Sequence, residues 1–339
     1  MAVTIEDISK HLGLSKSTVS KALNGYADVS SETRARVINA TKELGYHPNR
    51  AARSLRLGRT NKIGLLINSP IQFLSDYINH VMSGAALAAE RFEQNLTLYT
   101  KEVVDAEELR RICRAREVDG LLLIFDPLQD AKNILVEEQM PFVVFGRRSA
   151  QAGVSFVSPD NYFGALMLTK HLIEQGHDRI GFMARPQLGL TNSDRLAGYQ
   201  RALAGAEIPF EPTLVVETRV GQRDSSPAFL QLLRTSNPPT AVIATNDLMA
   251  ADAIQSAHDH GLDVPMDIAI AGFDGLKISE QTRPTLTTVQ QPLGRMGQRS
   301  IEILMQHITD NTLPPIRETM PVELIIREST FLKIENDSN

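Results

Sequence analysis

A three-helix N-terminal unit followed by two doubly wound, parallel-sheet α/β subdomains is the architecture this sequence predicts. Three observations predict it. The first sixty residues show helical spacing, caps and glycine stops, without any apolar run of strand length. From Lys62 onward, apolar runs (KIGLLIN, NLTLYT, GLLLIF, FVVFG) alternate with helical stretches at 75–93, 105–117 and 128–139. That β-α alternation belongs to a parallel sheet covered on both faces. A second series, RIGFMA, TLVVE, AVIAT and IAIAGFD, repeats the pattern, and 339 residues exceed what one hydrophobic core usually serves.

The N-terminal unit reads as follows. Thr4 caps a first helix, with Asp7 three residues on completing a capping box. Ile5, Ile8 and Leu12 share one face, and Gly13 can adopt the left-handed conformation that ends it. Ser15 caps a second helix running to about Leu23, with Val19, Ala22 and Leu23 inward, and Gly25 breaks it. A third helix starts near Ser30 or Ser31, turns Val37, Ile38 and Leu44 inward, and stops at Gly45 with Pro48 beyond. Helix, glycine turn, helix and supporting helix make a helix-turn-helix pattern.

Charge supports a polyanionic partner for this unit alone. Residues 1–60 carry a net charge of +5 and the remainder −10, within an overall −5. The outward face of the second helix presents Lys16, Ser17, Ser20 and Lys21, side chains suited to base edges and phosphates, with no acidic residue between 15 and 27. The next segment, HPNRAARSLRLGRT, places arginines at 50, 53, 56 and 59 with small or apolar residues between them. It is too basic for a core helix and too short to fold alone.

TIEDISKHLGLSKSTVSKALNG, followed by VSSETRARVINATKELGYHPNRAARSLR, resembles the headpiece of the lactose-repressor family of transcription factors. The resemblance implies DNA contact by Thr4, Ser15, Lys16, Ser17, Thr18, Ser20, Lys21 and Asn24. It also implies a hinge that is disordered off DNA and helical on it, with Arg50, Ala52, Arg53 and Leu55 entering the minor groove and Leu55 wedged into a base step. The residue types suit that role: arginines favour a narrow groove, alanines permit close approach, and an apolar wedge kinks the duplex.

In the body the chain passes between the two α/β series near VSFVSPDNYFG, LTTVQQP and MPVELIIRES. Three crossings fit a clamshell whose ligand sits at the carboxyl ends of the strands. VSPDNYFGA, EQGHDRIGFMA, SDRLAGY, ATNDLMA, AGFDG and RPTLTTVQQP continue the resemblance, which implies the fold of the periplasmic sugar-binding proteins. It assigns effector contact to Asp160, Arg195, Asn246, Asp274 and Gln291, with Phe73 as an aromatic beside the cleft. Carboxylates and a guanidinium suit neighbouring hydroxyls, although Asp274 and Asn246 would equally serve as helix caps or turn braces. ETRVGQRDSS, around Arg219 and Val220, lacks the aromatic many relatives place there.

The domains read as 1–48 headpiece, 49–60 hinge, and 61–339 effector-binding and dimerisation domain. Within that body one subdomain takes about 61–160 and 292–321, and the other about 161–291 and 322–339. Neither GxSxG, a Walker loop, HExxH nor metal-ligand spacing occurs, and His177 in QGHDRIGF suits the fold better than acid–base work. No catalysis, cofactor or metal is expected. One cysteine, Cys113, excludes a disulfide framework, and MAVTIEDISK has acidic residues where a signal peptide needs an apolar run. The expectation is a cytoplasmic homodimer without the leucine-heptad tetramerisation helix, away from membranes, binding palindromic operator DNA and a small effector. The effector is most simply a sugar, with a purine or other metabolite as alternative. A sugar carrier would fit the body but not the basic headpiece.

Overall fold

Helix α1, Ile5–Leu12, begins at Thr4, whose hydroxyl accepts from the Asp7 amide while the Asp7 carboxylate accepts from the Thr4 amide at 2.9 Å. These reciprocal bonds satisfy two of the amides a helix start leaves open. Gly13 ends the helix at φ 64°. Ser15 Oγ accepts from the Thr18 amide at 3.0 Å and starts α2, Lys16–Leu23. Ser30 Oγ accepts from the Thr33 amide at 3.2 Å and starts α3, Ser31–Glu43. The computed structural model describes residues 3–23, 26–46, 59–67, 75–99, 105–124, 131–185, 189–218 and 224–331. The chain divides into two compact units, Met1–Thr60 and Asn61–Asn339.

The first unit closes over Ile8, Val19, Ala22, Val29, Val37 and Ala40. Ile38 corrects the sequence reading, because it is 41% exposed. The packed face of α3 runs through Val37, Ala40 and Leu44, and one residue turns the helix by about 100° away from that face.

In the second unit one six-stranded sheet has the order β11-β5-β4-β3-β1-β2. Its strands are β1 Lys62–Ile67, β2 Asn95–Tyr99, β3 Gly120–Ile124, β4 Phe142–Phe145, β5 Ser155–Pro159 and, late in the chain, β11 Arg317–Met320. Helices α4 Ser75–Arg91, α5 Ala106–Ala115 and α6 Ala131–Glu137 lie between them. The second sheet has the order β12-β10-β9-β8-β6-β7. It holds β6 Ile180–Ala184, β7 Val215–Glu217, β8 Ala241–Ala244, β9 Ala269–Asp274, β10 Thr287–Gln290 and β12 Glu323–Ile325. Helices α7 Asn161–Glu174, α8 Leu190–Gly205, α9 Ser226–Leu233, α10 Asp247–Asp259 and α11 Ile278–Gln281 flank it. Helix α12, Leu293–Thr309, returns to the first sheet and packs on β3, β4 and β5. All pairs are parallel except β10 with β12. The expected TLVVE strand is shortened to Val215–Glu217, because Pro212 opens a 3-10 turn over Pro212–Leu214.

Buried strands such as β3, β4 and β6 read as continuous apolar runs because helices cover both faces. The chain changes sheet after Pro159, after Gln290, and between Met320 and Glu323. Two helix pairs approach very closely. A Cβ on Gly84 of α4 would lie 1.8 Å from the Gly294 carbonyl oxygen of α12, and one on Gly198 of α8 would lie 2.2 Å from the Tyr162 oxygen of α7. The second contact matters for the site, since α7 and α8 carry two of its residues.

Candidate functional site

On the first unit, the second helix presents Lys16, Ser17 and Lys21 outward as exposed side chains, while Thr18 and Ser20 are half-buried. Thr4 and Ser15 are occupied as caps of α1 and α2. Ser15 Oγ also meets Ser17 Oγ at 2.7 Å and Thr18 Oγ1 at 2.8 Å, so the polar residues at the start of α2 are linked. The face is less purely basic than the sequence suggested. Lys16 Nζ donates to Glu6 Oε2 at 2.7 Å, and Lys21 Nζ donates to Asp28 Oδ2 at 2.5 Å. Glu6 and Asp28 were missed because they lie outside the second helix and come beside it only through the fold. Asn24, Arg50, Ala52, Arg53 and Leu55 lie outside the described residues, as do Phe73, Arg219 and Val220 of the body.

In the body, Asp160, Asn246, Asp274 and Gln291 stand at the carboxyl ends of β5, β8, β9 and β10, and Arg195 lies within α8. Asp160 follows β5 and caps α7, accepting from the Phe163 amide at 2.9 Å through Oδ1. Asn246 follows β8 and caps α10, accepting from the Met249 amide at 2.8 Å. The capping role for Asn246 is therefore realised, and Asp160 shares it. Asp274 closes β9 at φ 127°, a backbone region that L residues rarely occupy and that surrounding contacts must enforce. Asp247 braces the turn that follows. Its Oδ2 accepts from the Leu276 amide at 2.7 Å, and its Oδ1 accepts from the Thr288 hydroxyl at 2.5 Å.

Arg195, Asp274 and Gln291 meet directly. Gln291 Nε2 donates to Asp274 Oδ1 at 2.6 Å, and Arg195 Nη2 stands 3.7 Å from the same oxygen. The guanidinium is fixed on three further sides. Its Nε donates to Asn161 Oδ1 at 2.8 Å, its Nη1 donates to the Thr245 carbonyl, and its carbon lies 3.6 Å from the centre of the Phe273 ring. Arg195 is 4% exposed, so its plane is set by neighbours rather than by solvent. Burial raises the Asp274 carboxyl well above the usual carboxylate range, against the pull of Arg195. Burial likewise raises Asp247 and lowers Arg195. Gln291 Oε1 is buried without a hydrogen-bond partner among the described residues. A buried acceptor left open costs about 1–3 kcal/mol, which a bound hydroxyl or amine would recover.

Residues of the first lobe also face the second. The buried phenol of Tyr77, on α4, feels the Asp274 charge after desolvation. Asp76 Oδ2 accepts from the Lys277 amide at 2.7 Å, and Arg148 Nε donates to Asp194 Oδ2 at 2.7 Å, each crossing between the two lobes. Sequence reasoning missed Tyr77, Asn161, Asp247 and Phe273. Asn161 and Asp247 stand directly after Asp160 and Asn246, and Phe273 directly before Asp274, so adjacency was the available signal. Tyr77 gave none, as its helical pattern reads as core. His177 meets Thr240 Oγ1 at 2.9 Å and braces the turns before β6 and β8. No metal-ligating group of His, Cys, Asp or Glu occurs among the described residues.

Residues 4–49 match the family described as bacterial regulatory proteins, lacI family, and residues 169–330 match the periplasmic binding protein-like domain. The chain is 34% identical over 335 residues to the HTH-type transcriptional regulator CelR of Thermobifida fusca, covering 96% of this chain and 98% of that one. It is 31% identical over 340 residues to the HTH-type transcriptional repressor PurR of Aliivibrio fischeri strain MJ11, covering 98% and 99%. A solved complex of the transcriptional regulator CelR with cellobiose superposes with a TM-score of 0.74 at 32% identity, covering 96% and 99%. The lac repressor dimer bound to operator and the anti-inducer ONPF superposes with a TM-score of 0.83 at 27% identity, covering 98% and 100%.

Proposed function

This chain belongs to the lacI family of bacterial regulatory proteins, and on that premise we propose that it represses carbohydrate-utilisation genes under the control of a small sugar. It is a DNA-binding regulator and not an enzyme. The observation that carries the sugar reading is the buried Arg195–Asp274–Gln291 cluster at the strand ends, with Gln291 Oε1 left open beside Asp274. Carboxylate, guanidinium and amide groups placed together match the alternating donors and acceptors of adjacent sugar hydroxyls. The cellobiose bound to the CelR relative supports the same ligand class. Asp160 and Asn246 contribute the atoms their caps leave over, and Phe73 the apolar cover of a sugar ring.

Two copies bind one palindromic operator, a reading supported by the lac repressor dimer bound to its operator. Lys16, Ser17 and Lys21 address base edges, with Ser20 and Asn24 beside them, while Arg50, Ala52, Arg53 and Leu55 address the minor groove. DNA as target supports a cytoplasmic location, and no described helix is long and apolar enough to cross a membrane.

The test has two arms. A thermal-shift screen of cellobiose, ribose and a purine base should show stabilisation by a sugar, about 2.7 kcal/mol at a hundredfold excess over Kd. A gel shift with the gene's own upstream DNA should show binding that the same sugar changes. Stabilisation by the purine alone would move the assignment to a corepressor-type regulator. No retardation of DNA would leave only a sugar-binding protein.

A further inference from the structure

We propose that Glu6 and Lys16 act as one reading unit, which accepts a keto base, guanine or thymine, and rejects an amino base, adenine or cytosine, on one strand at one operator position. The proposal rests on the reading above that α2 addresses base edges. It assigns a specificity role to a carboxylate on the neighbouring helix.

The two side chains come from α1 and α2, with Lys16 Nζ 2.7 Å from Glu6 Oε2 and Lys10 Nζ 3.3 Å from the other oxygen. Lys16 is the first residue of α2, and the N-terminal residues of such a second helix are the ones that reach base edges. Both side chains remain open to a partner, 62% and 48% exposed. Lys16 above all, and then Lys10, hold the Glu6 carboxyl below its usual range, so it meets DNA as an anion. Lys16 therefore presents its ammonium with a carboxylate beside it. The unit is a donor next to an acceptor rather than a lone positive charge.

That pattern has a complement in the major groove. In a G·C pair the guanine O6 acceptor lies beside the cytosine N4 donor, joined by a hydrogen bond of about 2.9 Å. This is close to the spacing of the Lys16 and Glu6 atoms, so Lys16 can donate to the guanine while Glu6 accepts from the cytosine. A T·A pair offers the same order, thymine O4 beside adenine N6. Turning either pair over sets the ammonium against an amino group and the carboxylate against a carbonyl oxygen. Both contacts are then repulsive, and rejecting wrong partners by repulsion is an effective source of specificity. A lysine alone would lack the second clash. The carboxylate also opposes phosphates, so it lowers affinity for unrelated DNA while sharpening the choice.

The experiment uses the full-length protein and selection from a duplex library randomised across the half-site. Wild type should show one position where G and T exceed A and C by about tenfold, the scale of one good base contact. Glu6→Gln should relax that position alone and raise binding to unrelated sequences. Glu6→Asp, which withdraws the carboxylate from Lys16, should relax the same position, and Lys10→Gln should leave it unchanged. If Lys16→Gln alters one position while both Glu6 variants keep the wild-type profile, the paired reader is wrong and α2 still reads DNA. If Lys16→Gln and the other α2 variants alter no position, the reading of α2 has failed and the paired reader falls with it.

Discussion

Asp274 is the residue on which the sensing account turns. Its carboxylate is buried, touches Gln291 and faces Arg195, and its backbone sits at φ 127° beside a turn that Asp247 braces. Asp274→Ala should abolish stabilisation by the sugar and leave binding to operator without ligand at its wild-type level. Thermal shift and gel shift on one preparation check this, and loss of soluble protein would show that Asp274 serves the fold instead. Its protonation gives a second expectation. Burial raises Asp274 above its ordinary 3.8, so the folded protein keeps a proton that the unfolded chain releases. The resulting stability is fully present below that ordinary value and is lost as pH rises toward the folded-state value. Wild type should thus lose urea resistance relative to Asp274→Asn as pH rises from about 4 through neutrality. The variant serves as reference because buried His171 and half-buried His177 and His307, whose affinity for protons is lowered by desolvation, push the other way in both proteins. A difference that widened in favour of wild type would contradict the assignment.

At the scale of elements, close packing of α7 on α8 places Asn161 against Arg195. Gly198 permits that approach, with no room for a Cβ beside the Tyr162 carbonyl. Gly198→Ala should separate the helices, destabilise the protein by about 1–3 kcal/mol and weaken sugar binding, while operator binding at low temperature survives. Unchanged stability would mean the helices adjust freely. In the headpiece, Thr4→Ala removes a reciprocal cap and should lower its stability by about 1 kcal/mol, read by circular dichroism of the full chain. The sequence showed these elements well where the signal was local. Thr4 with Asp7, Ser15 and Ser30 announced their caps, and the continuous apolar runs announced buried strands. Signals that depend on the fold were hidden. Ile38 looked like core until α3 was seen to pack through Val37 and Ala40. Glu6 and Asp28 are distant in sequence from the helix whose lysines they meet or lie beyond its end, so spacing could not pair them. Of the effector candidates, Arg195, Asp274 and Gln291 were named from motifs and do meet. Asn161, which orients the guanidinium, went unnamed because nothing in an Asp-Asn pair says which residue caps and which reaches inward.

At the scale of the whole molecule, a headpiece of net +5 precedes a body of net −10. The body repels DNA while the headpiece attracts it, so operator affinity should fall steeply with salt, by about 0.9 log units per log unit of salt for each phosphate neutralised. A flat response between low and physiological salt would count against several phosphate contacts. The lobes that hold the cluster also hold each other through Arg148–Asp194 and Asp76–Lys277, so a ligand seated between them changes the free energy of one lobe arrangement against another. Reciprocity then requires that a sugar which changes operator affinity is itself bound with an affinity the operator changes by the same factor. The most direct test is therefore a fluorescence anisotropy titration of labelled operator with full-length protein, with and without the sugar that stabilises it, for wild type and Asp274→Ala. The account predicts a change in operator Kd of at least about fivefold for wild type, the lower end of ordinary allosteric coupling, and none for the variant. An operator Kd that the sugar leaves unchanged in wild type, or shifts equally in Asp274→Ala, would contradict it.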